Sequence, residues 1–95
     1  MTSGRAIHRF RVARTGRQVI EVPGYLEKLD VQVHGDDMGL WCMVAVPSTE
    51  TVSLLLHIVG TGHPVPEGVS SRTYWRTVAD GRFIWHIFIQ EGVRT

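Results

Sequence analysis

The sequence contains a single cysteine, which excludes a disulfide framework within the chain. Cys42 lies in the apolar run 40–46, where a buried and unreactive thiol is expected. Segment 1–5 lacks the apolar stretch of a secretory leader, and the longest apolar run, 54–59, is far shorter than the ~20 residues of a membrane helix. We therefore expect a protein of the reducing cytoplasm, without a membrane partner.

The sequence also has almost no excess of positive over negative charge. Ten basic and nine acidic residues leave a net charge of +1, which is too little for broad contact with a phosphate backbone. Lysine is nearly absent: Lys28 is the single lysine, and the other nine basic residues are arginines. We expect no duplex nucleic acid among the partners.

Side chains that hold metals or attack substrates are present but scattered. The five histidines are His8, His34, His57, His63 and His86. None lies at the close spacing of a zinc motif, although histidines of different strands can still converge in space. The adjacent carboxylates Asp36-Asp37 fall in a turn, where aspartate is common for conformational reasons. The sequence predicts no metal, no cofactor and no catalytic residue, and therefore a protein that is not an enzyme.

Turn residues divide the chain into short segments with the period of β-strands. Apolar and polar residues alternate in segment 29–34, as in a strand with one buried face. Segment 40–46 is apolar on both faces, which predicts a central strand. Segment 51–59 is predicted as a further strand. Within it, residues 52–59 fit a buried helix by composition, but their β-branched ends and short length favour a strand. The pattern predicts an all-β fold, a small antiparallel sandwich or barrel of about seven strands, as a single domain over residues 1–95.

The longest predicted loop, 60–68, has the most unusual composition, with three glycines and two prolines. It precedes a predicted hairpin of strands 71–79 and 82–90 around Asp80-Gly81. Its first part, Gly60-Thr61-Gly62-His63, can present backbone N–H groups to an anion such as phosphate, with the Thr61 hydroxyl and the His63 side chain as further contacts. A rigid crossover between strands is the alternative, because glycine and proline clusters usually mark turns.

Arginines and aromatic residues offer further contacts to such an anion. Arg9 and Arg11 share one face of the first strand, with a spacing that suits an anionic ligand. A solvated edge strand that is protected by charge explains the same pattern. Arg76 of the last hairpin would balance more negative charge, and Trp75 would stack on a base. The predicted ligand site thus combines the loop with these four side chains.

The chain also has more apolar surface than one small core readily hides, because both faces of segments 40–46 and 83–89 are apolar. Closed association of identical copies would bury the rest. We therefore expect a homo-oligomer, most simply a dimer.

Five segments occur in a distinctive order: 19–24, 29–33, 40–41, 60–66 and 85–88. The most specific of them is Gly60-Thr61-Gly62-His63-Pro64, which is followed by a late strand with His86-Ile87-Phe88. In this order the chain resembles a family of small proteins encoded by bacteriophages and prophages, over nearly its whole length. The resemblance implies a compact β-domain and transfers no catalytic residue.

Small non-enzymatic phage proteins often counter host defence. The resemblance therefore implies a sponge in the host cytoplasm that binds and sequesters a nucleotide-derived immune signal, such as a cyclic oligonucleotide or an ADP-ribose relative. The alternative is a structural or protein-interaction module, either a virion accessory or a direct inhibitor of a host protein. The residues are compatible with both.

Overall fold

The computed structural model describes residues 3–14, 16–48 and 50–94. Within them the chain forms seven β-strands and one short 3-10 turn. The strands are β1 (Gly4–Val12), β2 (Gly16–Pro23), β3 (Tyr25–His34), β4 (Asp37–Val46), β5 (Thr51–Gly60), β6 (Tyr74–Asp80) and β7 (Phe83–Arg94). The predicted all-β fold of about seven antiparallel strands is confirmed.

The strands form two antiparallel sheets. One has the order β1-β4-β3, and the other has the order β2-β5-β7-β6. β4 is the central strand of the three-stranded sheet, as the apolar residues on both of its faces predicted. Segment 51–59 belongs to β5, an inner strand of the four-stranded sheet, so the alternative of a buried helix over residues 52–59 is excluded.

The inward-facing residues of both sheets form one core, so that the sheets pack as a sandwich. Along β4 and β5 every second residue is buried, which is the period of a strand. The largest fully buried side chains are those of Tyr25, Met38, Leu40, Leu54, Leu56 and Ile87. Cys42 is buried among them, and this burial raises the pKa of its thiol to about 11, which keeps the thiol neutral and unreactive.

The chain crosses from one sheet to the other at Gly24, between β2 and β3. Its φ of +72° favours glycine, and an added Cβ would lie 2.5 Å from the carbonyl oxygen of Ala45. The Gly24 N–H donates to the Glu50 carbonyl at 2.6 Å, and the Gly24 carbonyl accepts from the Ala45 N–H at 2.7 Å. Only a residue without a side chain fits this corner of the sandwich.

The last hairpin starts later than predicted. Residues 71–73, which the sequence pattern assigned to a strand, form the 3-10 turn Ser71–Thr73, because the Ser70 hydroxyl caps it and accepts from the Arg72 N–H at 3.3 Å. The loop after β5 therefore covers residues 61–70, and β6 begins at Tyr74. In the described part of the chain, no helix has the length and apolarity to cross a membrane.

Candidate functional site

The loop after β5 folds back so that His63 lies against the end of β5. The His63 N–H donates to the Gly60 carbonyl at 3.0 Å, and the Thr61 N–H donates to the Ile84 carbonyl at 3.2 Å. A Cβ at Gly60 would lie 2.8 Å from His63 Nδ1 and 3.2 Å from the Trp85 ring. Gly60 is therefore the surface on which the imidazole of His63 rests.

A first cleft of about 280 Å³ lies between this loop and the adjacent ends of β2 and β5. It is lined by Gly16, Arg17, His57, Ile58, Val59, His63, Pro64 and Pro66. Arg17 and His57 are directly opposite each other in the β2–β5 register. The cleft thus combines one guanidinium and two imidazoles with apolar and proline walls, and none of its described lining residues is acidic.

A second cleft, of about 260 Å³, lies on the other side of His63. It is lined by Gly60, Thr61, His63, Arg82, Phe83, Ile84 and Trp85. The rings of Phe83 and Trp85 are stacked, with centroids 5.8 Å apart and planes 19° from parallel. The Arg82 guanidinium lies 5.8 Å from the centre of the Phe83 ring, and Phe83 is 55% exposed. An exposed aromatic ring beside a cation is a suitable surface for a planar base.

His63 lines both clefts, which makes them neighbours on one surface. The first offers positive and hydrogen-bonding groups, and the second offers an aromatic face. Together they suit an elongated ligand with an anionic end and a planar end.

Asp80 holds the Trp85 side chain in position through a hydrogen bond. Its Nε1 donates to Asp80 Oδ2 at 3.1 Å, and Arg14 Nε donates to the same oxygen at 2.6 Å. These two hydrogen bonds, the one from Trp85 first, lower the pKa of the Asp80 carboxyl below its usual value of 3.8. Arg14 also donates to the carbonyls of Gly35, at 2.8 Å, and of Asp36. Arg14 lies in the connection between β1 and β2. It thus links this connection to the hairpin turns at residues 35–36 and 80–81 and, through Asp80, to the second cleft.

Thr61 borders the second cleft, but its hydroxyl points toward the outer face of the four-stranded sheet. Its hydroxyl is hydrogen-bonded to His86 Nε2 at 2.7 Å, and His86 Nδ1 is hydrogen-bonded to the Thr77 hydroxyl at 3.0 Å. The Thr77 hydroxyl in turn bonds to the Tyr74 hydroxyl at 2.6 Å. The hydroxyl and N–H of Thr61 and the N–H of His63 therefore have partners within the protein, so a ligand meets mainly side chains.

Two predicted site residues, Arg9 and Arg11, engage an acid of the three-stranded sheet. Arg9 Nη2 lies 3.2 Å from one carboxylate oxygen of Asp37, and Arg11 Nε lies 3.2 Å from the other. The Arg9 guanidinium also lies across Gly39, where an added Cβ would meet it, and 5.9 Å from the Trp41 ring centre. These contacts place both arginines on β1 beside β4.

The other two predicted residues, Arg76 and Trp75, lie where β6 approaches β3. Arg76 Nε is 3.2 Å from Asp30 Oδ1, and its Nη2 donates to the Leu29 carbonyl at 3.1 Å. Trp75 packs against the core, with the Arg76 guanidinium 4.9 Å and the Lys28 ammonium 5.7 Å from its ring. Among the described residues, the structure brings His63 into both clefts and Gly60 and Thr61 into the second. The described lining of the two clefts does not include the other predicted site residues, which are Gly62, Arg9, Arg11, Trp75 and Arg76.

Four residues of the clefts were not predicted from the sequence: Arg17, His57, Arg82 and Phe83. A signal existed for His57, because it alternates with Leu56 and Ile58 and so faces away from the core. Phe83 follows a predicted tight turn directly, a place where a side chain is often exposed. In the described ranges, no three or more His, Cys, Asp or Glu side chains are grouped so that they could hold a metal ion.

Comparison with known proteins gives the chain a family. No curated protein and no solved structure matches it. Residues 3–94 match the family described as a domain of unknown function (DUF7352). Because this match covers nearly the whole chain, the chain belongs to that family.

Proposed function

We propose that this protein is a non-enzymatic binding domain that captures a small nucleotide-derived anion in the two clefts that meet at His63. The wider role that we propose is the one implied by the resemblance to phage proteins. The domain would sequester a nucleotide immune signal in the host cytoplasm and so counter anti-phage defence.

The observation that supports this proposal is the pairing of two chemically different clefts around one imidazole. Arg17, His57 and His63 offer hydrogen-bond donors to phosphate oxygens, and among the described lining residues there is no carboxylate to repel an anion. Across His63, Phe83 and Arg82 offer a base an exposed ring and a cation. A nucleotide combines both of these recognised parts.

The base-stacking role moves from Trp75, where the sequence suggested it, to Phe83. The Trp75 ring is only partly exposed, and it packs against the core. Phe83 is more exposed to solvent, and its ring is stacked on the ring of Trp85. The phosphate contacts move in the same way, from the β1 arginines to Arg17 and the two histidines.

Sequestration requires that the ligand leave the protein unchanged. We therefore expect mass spectrometry of molecules released from the purified, denatured protein to find an intact nucleotide-derived anion. Isothermal calorimetry would then measure binding to cyclic dinucleotides, cyclic trinucleotides, ADP-ribose and cyclic ADP-ribose, with inorganic phosphate and adenosine as the two halves of the ligand.

Variants of the clefts test where the ligand binds. His63→Ala should weaken binding at least tenfold, because a charge-assisted hydrogen bond contributes about 1.5–3 kcal/mol. Phe83→Ala should weaken binding about fivefold or more, since stacking on an aromatic ring contributes about 1–3 kcal/mol for each base. The matched control is His34→Ala, which removes an exposed imidazole from the three-stranded sheet and should leave the affinity unchanged.

Two outcomes would contradict the proposal. If no compound of the panel binds the wild type, the protein fits the alternative of a structural or protein-interaction module. If a compound is bound but is converted to product on incubation, the domain is an enzyme rather than a sponge.

A further inference from the structure

The sandwich has four edge strands, and three of them carry features that discourage pairing with another chain. β3 has two register shifts against β4, and β6 has one against β7. Such bulges twist an edge away from a partner strand. β1 runs without a shift but presents Arg5, Arg9 and Arg11 on its outward face.

β2 differs from these three edges. It pairs with β5 without any shift from Gly16 to Pro23, and among the described residues it has no strand partner on its other side. Its outward face carries Arg17, Val19 and Glu21 in alternation, and Val19 is 50% exposed. A straight, regular edge with an exposed apolar residue at its middle is a surface on which a further strand can add.

The charges on this face are complementary to themselves. In a two-fold antiparallel pair of β2 strands centred on Val19, each Val19 faces its own copy. Arg17 of each chain then faces Glu21 of the other, so that two opposite-charge pairs form by symmetry. The Glu21 carboxylate accepts from the Ser53 hydroxyl at 2.9 and 2.8 Å and keeps further lone pairs for a guanidinium.

A two-fold antiparallel pair of β1 strands would instead place like charges opposite each other. Centred on Ile7, the most exposed apolar residue of that strand, it would place Arg5 against Arg9 of the second copy. Like charges directly opposite each other across two strands are destabilising. The charge pattern therefore selects β2 between the two edges that have a regular register.

We propose that a second copy of this chain pairs with β2 through its own β2, in antiparallel register about Val19. The two four-stranded sheets then become one continuous sheet across a two-fold axis. Val19 and Glu21 line neither cleft, whereas Arg17 borders the first cleft, so an anion bound there would compete with Glu21 of the second copy for the Arg17 guanidinium. Association is therefore tested without a ligand.

A charge-exchange series tests the paired charges. Multi-angle light scattering of the wild type at micromolar concentration should give twice the 10.7 kDa of one chain. Arg17→Glu alone and Glu21→Arg alone should each weaken association about tenfold or more, because each places like charges opposite each other twice. The double variant Arg17→Glu/Glu21→Arg restores both opposite-charge pairs and should restore the dimer.

Cysteine crosslinking tests the register. Directly opposed Cβ atoms of antiparallel strands lie about 4.5–5.5 Å apart, which is close to disulfide geometry. Val19→Cys should therefore form an intermolecular disulfide under mild oxidation, and the native Cys42 does not interfere because it is buried. A mixture of Arg17→Cys and Glu21→Cys should crosslink while neither does so alone. Ile7→Cys, an exposed control on β1, should stay monomeric on a denaturing gel.

A monomeric wild type at all accessible concentrations would overturn this proposal. So would a dimer that persists unchanged in both single charge variants and in Val19→Lys, since that dimer would use another surface. The circular dichroism spectrum of each variant shows whether the fold is retained, and the double charge exchange distinguishes a lost interface from a damaged strand.

Discussion

Six of the nine arginines of this domain fall into two sets that the sequence does not distinguish. Four of them meet acids: Arg9 and Arg11 share Asp37, Arg14 binds Asp80, and Arg76 binds Asp30. Two others, Arg17 and Arg82, line the clefts. Neither of these two forms an ion pair with an acid of the described residues.

The difference lies in the partners and not in the arginines themselves. Each acid is distant in sequence from its arginine. The pairing of β1 with β4 brings Asp37 beside Arg9 and Arg11. The contacts of Arg14 with Asp80 and of Arg76 with Asp30 instead join segments that are not paired strands. An arginine that is already paired and hydrogen-bonded has little left to offer a ligand, whereas an unpaired arginine at a cleft can still bind an anion. We therefore expect the first set to affect stability and the second set to affect binding.

The largest effect should come from Arg82→Ala, measured as ligand affinity by calorimetry. It removes the cation beside Phe83 and should weaken binding at least tenfold, since a charge-assisted contact contributes about 1.5–3 kcal/mol. Arg76→Ala removes the same charge from the paired set and should leave the affinity within about twofold. Equal losses in both variants would mean that overall charge, and not the cleft, attracts the ligand.

Arg14→Ala should have the largest effect on stability. It removes the guanidinium that joins Asp80 to the hairpin turn at residues 35–36, and it should lower the melting temperature by roughly 5 °C or more. Arg72→Ala is the control, because Arg72 is exposed and lies in the 3-10 turn. A melting temperature that is unchanged in Arg14→Ala would remove Arg14 from the stabilising set.

Acid should reduce the contribution of Asp80. Because Trp85 and Arg14 lower the pKa of the folded carboxyl below 3.8, the stabilisation is fully present above that value. It is lost as the pH falls through the lower pKa of the folded state. The difference in melting temperature between the wild type and Asp80→Asn should therefore be largest near neutral pH and shrink between about pH 5 and pH 2. A difference that stays constant over this range would assign the effect to shape and not to charge.

The smallest effect should come from Arg11→Ala. The Arg11 side chain is 82% exposed, and exposed ion pairs contribute about 0–1 kcal/mol. Both the melting temperature and the affinity should stay close to those of the wild type. A clear loss of affinity would return the N-terminal arginines to the ligand site and contradict the separation into two sets.

The sequence predicted the fold well because the fold depends on local patterns. Alternation and turn residues located nearly every strand, and the apolar residues on both faces of segment 40–46 identified β4 as central. The prediction was wrong at residues 71–73, where the side chain of Ser70 stabilises a 3-10 turn instead of a strand. That competition is between two local hydrogen-bonding patterns, and composition alone does not decide it.

The candidate site was predicted only in part, because it depends on which strands become neighbours. The loop was identified from its glycines and prolines. Arg17 and His57 are 40 positions apart in the chain and face each other only through the pairing of β2 with β5. The acids that meet Arg9, Arg11 and Arg76 were likewise hidden until the strand register and the packing of the two sheets were known. No signal in a single sequence reports either kind of contact.

The position of His63 between the two clefts would make the proposed binding sensitive to the length of the ligand. A molecule that bridges both clefts gains the second contact at a high effective concentration, because the first contact already holds it in place. Separate phosphate and base fragments gain no such advantage, and a molecule with the wrong spacing between its two ends gains only one contact. The His63 imidazole, which packs against Gly60, would thus select ligands by the distance between phosphate and base as well as by their chemistry.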